Sequence, residues 1–598
     1  MNTNTLHDGS DNSDKLKKIS VLPLFWKMMT YKSGLYALNC FLWALIHVEP
    51  LILGLIFNQF FNILMPGEQF TRNLLSIIAV TMAYAAGRMV NIHYGAMADN
   101  THRFIMSALL RRNMFESILK KPGASSMPCS QGEALNCFRD DAGTIENSIS
   151  WTLDFIGNVV FVIVAVTIMV SINAKITLFV FTPLVAVVAI VQMLRSKLQK
   201  YREASREATG LVTGAMGEIF SAVQAIKVAG EEENVTLHLE KLNQKRHKMM
   251  LKDTLLTQTL YSVFYNTVSI GTGFILLLAA GSMKSGAMTV GELSLFIYYL
   301  NFISDFTSFF GSFIANNRQA KISFLRIAGL MQEDTPAKAV EHKDLYLKTN
   351  YKHNVMNQKV EINELNDLTV EGLTYKYESS GNGIEDINFN VKNGSFTVIT
   401  GRIGSGKSTL LKVLLGLLPA EKGSVKWNGR PVTDSGFFVT PHCAYTPQIP
   451  NLFSDSIKNN ILFGLPEEEV DLEASLYSAV LENDITELEN GLETVIGPKG
   501  VKLSGGQIQR VAVARMFARA AELLVFDDIS SALDVETENK LWSRLFQNRP
   551  ATCLVVSNRR GALKQADQII VMKDGRIEAV GKLEELLISC GEMKEIWG

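Results

Sequence analysis

The chain is predicted to combine two fold classes: a membrane α-helical half with long cytosolic extensions, and a C-terminal α/β half on a largely parallel sheet. Three observations carry this. Several stretches free of charge are long enough to cross a bilayer, and short β-type runs alternate with helical patterns beyond residue 367. The third is a hydrophobic content of 47% against 20% charged residues, with a mean hydropathy of +0.13, more apolar than a large soluble protein. Over 598 residues, 58 Lys+Arg balance 59 Asp+Glu, a near-zero net charge that supplies no electrostatic case for nucleic acid as a partner.

The membrane half follows from uncharged length. Between residues 33 and 67 the only ionised group is Glu49, and residues 155–174, 176–194 and 254–283 have none. Two more runs, 73–98 and 293–317, are interrupted only by Arg88 and Asp305. A hydrocarbon core needs roughly 20 helical residues, so six transmembrane helices are expected. Lys15, Lys17, Lys18 and Lys27 precede the first, and Arg103, Arg111, Arg112, Lys120 and Lys121 follow the second, marking the cytosolic side. Loops near Pro66, Asn173 and Ser285 then face outside. Both termini are expected in the cytosol and the chain in the cytoplasmic (inner) membrane. Residues 1–20 read as a polar tail without the apolar core of a secretory signal.

Residues 99–150 and 195–253 are too polar to span but continue the helical pattern, so they are expected to project into the cytosol, with turns at 122–130 and 204–218. Polar groups at membrane depth are candidates for a substrate path: His47, Glu49, Arg88, Tyr261, Tyr265, Asn266, Tyr298, Tyr299, Asn301 and Asp305. Hydrogen bonding between helices is the competing role. The six cysteines form no CxxC pair and are expected to be reduced, and no zinc or iron site is expected.

The expected domains are 1–20, a tail; 21–332, the membrane domain; 333–367, a polar linker; and 368–598, the α/β domain. In the last, the strand Phe396-Thr397-Val398-Ile399-Thr400 runs into Gly401-Arg402-Ile403-Gly404-Ser405-Gly406-Lys407-Ser408-Thr409, and an apolar helix follows. This is GxxxxGK[ST] in its strand–loop–helix context, a P-loop NTPase signature. Its glycines let backbone N–H groups face phosphate oxygens, Lys407 neutralises the β and γ phosphates, and the Ser408 hydroxyl is a ligand for Mg²⁺. The apolar strand Leu523-Leu524-Val525-Phe526 ends in Asp527-Asp528, placing Asp527 as a second Mg²⁺ ligand. ATP and Mg²⁺ are the expected ligands.

Leu503-Ser504-Gly505-Gly506-Gln507, just before that strand, resembles the signature of the ATP-binding cassette (ABC) transporters. Six spans followed by one cassette resemble a half-transporter of the type IV exporter kind, two of which pair. The resemblance implies that Tyr377 stacks on adenine and that Gln448 of Tyr445-Thr446-Pro447-Gln448 senses the γ-phosphate and joins the Mg²⁺ ligands. Residues 503–507 and Asp534 of Ser531-Ala532-Leu533-Asp534 would serve the partner's ATP site.

Three positions depart from the family pattern. Asp528 replaces the Glu that polarises the attacking water, Asn558 replaces the switch His in Ser557-Asn558-Arg559, and Pro498 replaces a Glu in a loop facing the membrane domain. The expected function is ATP-driven export as one half of a dimer. A non-identical partner with Glu and His would complete the active site, while this chain's own site is slow or inactive. A slow homodimeric exporter and a nucleotide-gated membrane sensor or channel are the alternatives. Peptide, lipid and drug remain open as cargo.

Overall fold

A computed structural model of the chain describes residues 20–64, 70–124, 127–333, 335–345, 364–377, 380–434, 436–497, 503–548 and 551–598. The loop at Pro66 and the departure at Pro498 lie outside them. Two compact units emerge: Met1–Glu116 with Pro128–Leu345, and Ser117–Met127 with Tyr346–Gly598.

The first unit is helical. A short α1 (Leu22–Tyr31) leads into α2 (Ser33–Ile63), α3 (Phe70–Leu119), α4 (Ala142–Ser221), α5 (Glu232–Lys284) and α6 (Val290–Met331). The six apolar stretches fall on these helices. Among the described residues, four helices are long and apolar enough to cross a membrane, Ser33–Ile63, Leu74–Leu119, Gln131–Phe179 and Val290–Met331, and five if the bent pair Ser196–Ser221 and Val223–Ala229 is counted as one span. The 50 residues of α3 reach about 75 Å at 1.5 Å per residue, well past a hydrocarbon core, as expected for a span that continues beyond the bilayer. α4 breaks at Asn173 (φ −156°, ψ 98°), whose side-chain oxygen accepts from Ile176 N at 3.1 Å and so starts the helix again. α6 opens on a capping box in which Thr289 and Glu292 satisfy each other's backbone N–H. The core between α2, α4, α5 and α6 centres on Leu51, Phe161, Phe296 and Tyr299. Tyr299 lies so close to α2 that a Cβ on Gly54 would sit 2.2 Å from its ring.

Two expectations are corrected here. Residues 204–218 are helical within α4, and the chain instead turns by 73° at Ala222 and again at Gly230, whose φ of 68° suits glycine. The start of the expected linker is packed structure: Ala339 and Val340 are buried, and Asn113 Nδ2 donates to Ala339 O and Glu341 O, both at 2.9 Å. An otherwise polar segment is thereby held by a side-chain amide that meets its carbonyls. All six cysteines carry free thiols.

Among the described residues the second unit has ten strands: β1 (Asp367–Lys376), β2 (Gly383–Lys392), β3 (Phe396–Gly401), β4 (Lys422–Trp427), β5 (Arg430–Pro431), β6 (Cys443–Thr446), β7 (Leu523–Asp527), β8 (Thr552–Val556), β9 (Gln568–Lys573) and β10 (Arg576–Gly581). One six-stranded sheet runs β10-β9-β3-β8-β7-β6, parallel except at β10. A four-stranded antiparallel sheet, β2-β1-β4-β5, was not foreseen. All six residues of β3 are buried, as a central parallel strand requires. The helices that bear on the site are α7 (Lys407–Leu414), α8 (Gly505–Phe517), α9 (Val535–Asn548) and α10 (Gly591–Trp597). Within this unit Ala124 N donates to Leu417 O at 3.0 Å.

Candidate nucleotide site

The site lies at the carboxyl ends of β3, β6, β7 and β8, where an open α/β sheet leaves a crevice. The loop after β3 turns through Gly404 (φ 84°) and Gly406 (φ 99°) and opens α7. These left-handed positions need glycine, and they turn the backbone into an anion cradle. Lys407 Nζ donates to Gly401 O at 2.6 Å and Arg402 O at 2.8 Å. Burial lowers its pKa, with the Asp528 and Asp527 charges opposing. Ser405 Oγ is buried and accepts or donates no hydrogen bond among the described residues, a polar atom suited to a phosphate oxygen. Ile403 is fully exposed, Thr409 Oγ1 lies 3.4 Å from the Tyr377 hydroxyl, and Tyr377 stands edge-on to Tyr375. Tyr377 is thus beside the loop.

Ser408 Oγ donates to Asp527 Oδ1 at 2.8 Å. A hydroxyl and a buried carboxylate oxygen in contact form the hard-oxygen pair that Mg²⁺ takes, so these residues fit the ion. The Tyr445 hydroxyl donates to the other Asp527 oxygen at 3.4 Å. Gln448 Nε2 donates to Asp528 Oδ2 at 3.2 Å, leaving its amide oxygen as the ligand atom for a cation. Burial raises the pKa of both aspartates, and for Asp528 the neighbouring Asp527 charge adds to it. Asn558 Oδ1 accepts from Thr400 Oγ1 at 3.0 Å, tying the switch position to the end of β3. The structure therefore brings Lys407, Ser408, Asp527, Asp528 and Gln448 together, with Asn558 beside them.

The signature residues stand elsewhere. Ser504 caps α8: its Oγ accepts from Gln507 N at 3.3 Å, and its own N–H donates to Gln507 Oε1 at 2.8 Å. Gln507 Nε2 also donates to Asp484 Oδ1 at 3.0 Å. Leu503 is partly buried, Gly505 begins the helix, and a Cβ on Gly506 would come 3.0 Å from Ala532 O. Asp534 caps α9, accepting from Thr537 N at 2.9 Å and Thr537 Oγ1 at 2.7 Å. Among the described residues no hydrogen bond joins 503–507 to the phosphate loop.

In the membrane unit, several candidates pair with residues that the sequence did not mark. His47 Nε2 meets Asp154 Oδ1 at 2.9 Å. Glu49 Oε1 accepts from Asn91 Nδ2 at 2.8 Å, and Arg88 lies 3.8 Å from Oε2 while donating to the Tyr84 hydroxyl at 3.2 Å. Asn266 and Asn301 donate to carbonyls one turn back, and Tyr298 packs on Phe57 and Phe302. Tyr299 donates to Leu51 O at 2.8 Å. Tyr261 and Asp305 are exposed; the side chain of Tyr265 lies outside those described. Thr400, Tyr445 and Asn91 were missed. Tyr445 had a signal in its place three residues before Gln448, and Asn91 one in its helical spacing from Arg88 and Tyr84.

Both halves of the chain are similar to known proteins. Residues 384–531 match the ABC transporter family and residues 36–305 match the ABC transporter transmembrane region. A probable multidrug resistance ABC transporter ATP-binding/permease protein, YheI of Bacillus subtilis, is 29% identical over 432 residues, 71% of this chain and 70% of that protein. ABC transporter B family member 1 of Dictyostelium discoideum is 25% identical over 497 residues, 80% of this chain and 52% of that protein, so the match spans about half its length. The solved structure of a bacterial Atm1-family ABC exporter with ATP bound has a TM-score of 0.73 at 20% identity, covering 94% of this chain and 98% of that one. That likeness is one of fold. A membrane domain, a cassette and their order along one chain thus agree from sequence to structure: the chain belongs to the ABC transporter family, as a multi-pass exporter-type half-transporter with one ATP-binding domain.

Proposed function

We propose that this chain is one half of a heterodimeric exporter of the cytoplasmic membrane. Its own site holds MgATP and hydrolyses it slowly, while residues 503–507 and Asp534 close over ATP on the partner's phosphate loop. The proposed domains are 21–332 in the membrane and 368–598 as the cassette.

The observation that carries this reading is the pair Asp528 and Asn558 in an otherwise complete site. Asp is one methylene shorter than Glu, a loss of about 1 Å of reach toward water, and misplacement on that scale costs orders of magnitude in rate. Asn558 is neutral and its oxygen is engaged by Thr400, so it brings no positive charge to a γ-phosphate. Binding groups remain: Lys407 for phosphate charge, Ser408 and Asp527 for Mg²⁺, and Tyr377 for the base. Mg²⁺, when held by Ser408 and Asp527, would neutralise phosphate charge. For the cargo, the name of the Bacillus relative supports a drug-like amphipathic compound, met at membrane depth by polar groups such as Glu49 and Arg88.

A second reading, a slow homodimer in which Asp528 does the work, is favoured by the Gln448–Asp528 hydrogen bond, which holds that carboxylate at the site. Steady-state ATPase of the purified chain separates the two. The heterodimer reading expects tight ATP binding with slow turnover, and a gain of about 10²-fold or more in Asp528→Glu combined with Asn558→His. Rapid turnover of the unmodified chain, lost in Asp528→Ala, would establish the homodimer instead.

A further inference from the structure

Arg402 belongs to the phosphate loop by sequence, yet its guanidinium is bound outside it. Its Nε lies 2.6 Å from Glu592 Oε1, and Nη2 pairs with Glu595; both acids are on α10. Glu592 is only 2% exposed, and neither of its oxygens has a hydrogen bond among the described residues. A carboxylate buried in that way is tolerable only while a cation compensates it. A second cation is at hand, shared with Glu578: Lys573 Nζ, half exposed, lies 3.7 Å from Glu592 Oε2 and 3.7 Å from Glu578 Oε2.

The same helix also reaches the switch segment. Arg560, two residues after Asn558, donates to Trp597 O at 2.5 Å and Gly598 O at 3.1 Å, with its guanidinium 5.2 Å from the Trp597 ring centre. Cys590 and Met593 are buried in the cassette core and fix α10 there. One short helix therefore grips the phosphate loop through Arg402 and the switch segment through Arg560.

We propose that Arg402 sets nucleotide affinity and that Glu592 and Glu595 act as a brake by competing with ATP phosphates for its guanidinium. A planar guanidinium suits phosphate oxygens as well as carboxylates, and a triphosphate offers more charge than either acid. When Arg402 leaves, Lys573 compensates Glu592, so no buried charge is stranded. Because Arg560 anchors the same helix, release at the loop is felt at the switch segment. The inference rests on the reading of residues 401–409 as the ATP-binding loop.

The test is nucleotide binding by the full chain in lipid nanodiscs, with ATP and ADP as probes and AMP as the control that lacks β and γ phosphates. Glu595→Gln, at an exposed position, is expected to tighten ATP and ADP about two- to five-fold, the range of an exposed ion pair, and to leave AMP unchanged. Arg402→Ala is expected to weaken ATP about ten-fold, the scale of a charge-assisted phosphate contact, and to erase the effect of Glu595→Gln when the two are combined. Unchanged or weaker ATP binding in Glu595→Gln, or a gain that persists without Arg402, overturns the brake. Lys407→Ala tests the underlying site separately: ATP binding that survives it defeats the phosphate-loop reading itself. Glu592→Gln is the second variant, used where its melting temperature matches the parent.

Discussion

Asp528 adopts φ 48° and ψ 48°, a left-handed conformation that Asp tolerates better than most residues, and its N–H donates to Val556 O at 3.0 Å. Backbone and Gln448 together aim a carboxylate next to that of Asp527, and burial plus that neighbour raise its pKa. A raised acid pKa means the folded state holds the proton more tightly than the unfolded one. The ionised group therefore opposes folding above its ordinary pKa, fully so above the raised value, and the opposition fades on acidification. Asp528→Asn is accordingly expected to raise the melting temperature of the nucleotide-free protein at pH 7.5, by about 2–4 °C for a domain of this size. The gain should shrink as the pH falls through the raised value and vanish only below the ordinary carboxylate range, where the Asp528 carboxyl is protonated in folded and unfolded chain alike. A gap of the same size at pH 7.5 and below that range would mean that charge is not its source. Gly506 makes a second case. A Cβ there meets Ala532 O at 3.0 Å, so Gly506→Glu should displace the turn before Asp534 as well as block the signature. Hydrolysis by the paired transporter is expected to fall by about 10²-fold or more, and full activity would rule out the cross-site role of residues 503–507.

At the level of elements, the phosphate loop and Asp527 end two strands that are not neighbours, since β8 lies between β3 and β7. Trp542 of α9 links them: its ring is 5.3 Å from Phe396 at the start of β3 and 5.4 Å from Phe526 beside Asp527, and it is fully buried. Trp542→Ala is expected to cost about 3–5 kcal/mol of cassette stability. ATP should then protect the protein less against thermal unfolding, with Trp542→Phe restoring most of the loss. Unaltered melting in Trp542→Ala would show that the strands are held without it. The same elements show what a sequence can reveal. The unit from β3 through α7 was legible because strand, glycines and amphipathic helix are adjacent in the chain. The contacts of Asn558 were not, because Thr400 reaches it only through the β3–β8 register that pairs Ile399 with Val556. The antiparallel sheet was missed for a related reason: β1 is interrupted by register shifts between Val370 and Tyr375 that spoil its alternation. In the membrane unit, uncharged length revealed the spans. The turn at Ala222 lacked a Gly, Pro or Asn to betray it, whereas Asn113 binds a segment more than two hundred residues away by a contact that no local pattern carries.

For the whole transporter, the proposed slow site matters through the equilibrium between open and closed cassettes. A ligand shifts that equilibrium only by its differential affinity for the two states, and ATP sandwiched between two cassettes favours the closed one. If this chain keeps its ATP over many cycles, that bias persists while the partner's site turns over. Lys407→Ala removes the side chain that neutralises the phosphates of this ATP but touches none of the groups that hydrolyse ATP on the partner. The expected result is a transporter whose closed state forms less often. Vesicle uptake should fall about ten-fold or more, as a loss of about 1.4 kcal/mol of closing bias requires. At saturating ATP, hydrolysis by the partner should fall with it, because the signature supplied here reaches that site only on closure. Asp528→Glu with Asn558→His tests the opposite change. The chemistry here would speed up and the standing bias would be spent each cycle, so ATP consumed per molecule transported should rise. Side by side, ATPase and uptake distinguish these cases. Undiminished uptake in Lys407→Ala would mean that ATP on this chain is dispensable, and would leave its phosphate loop without a role in transport.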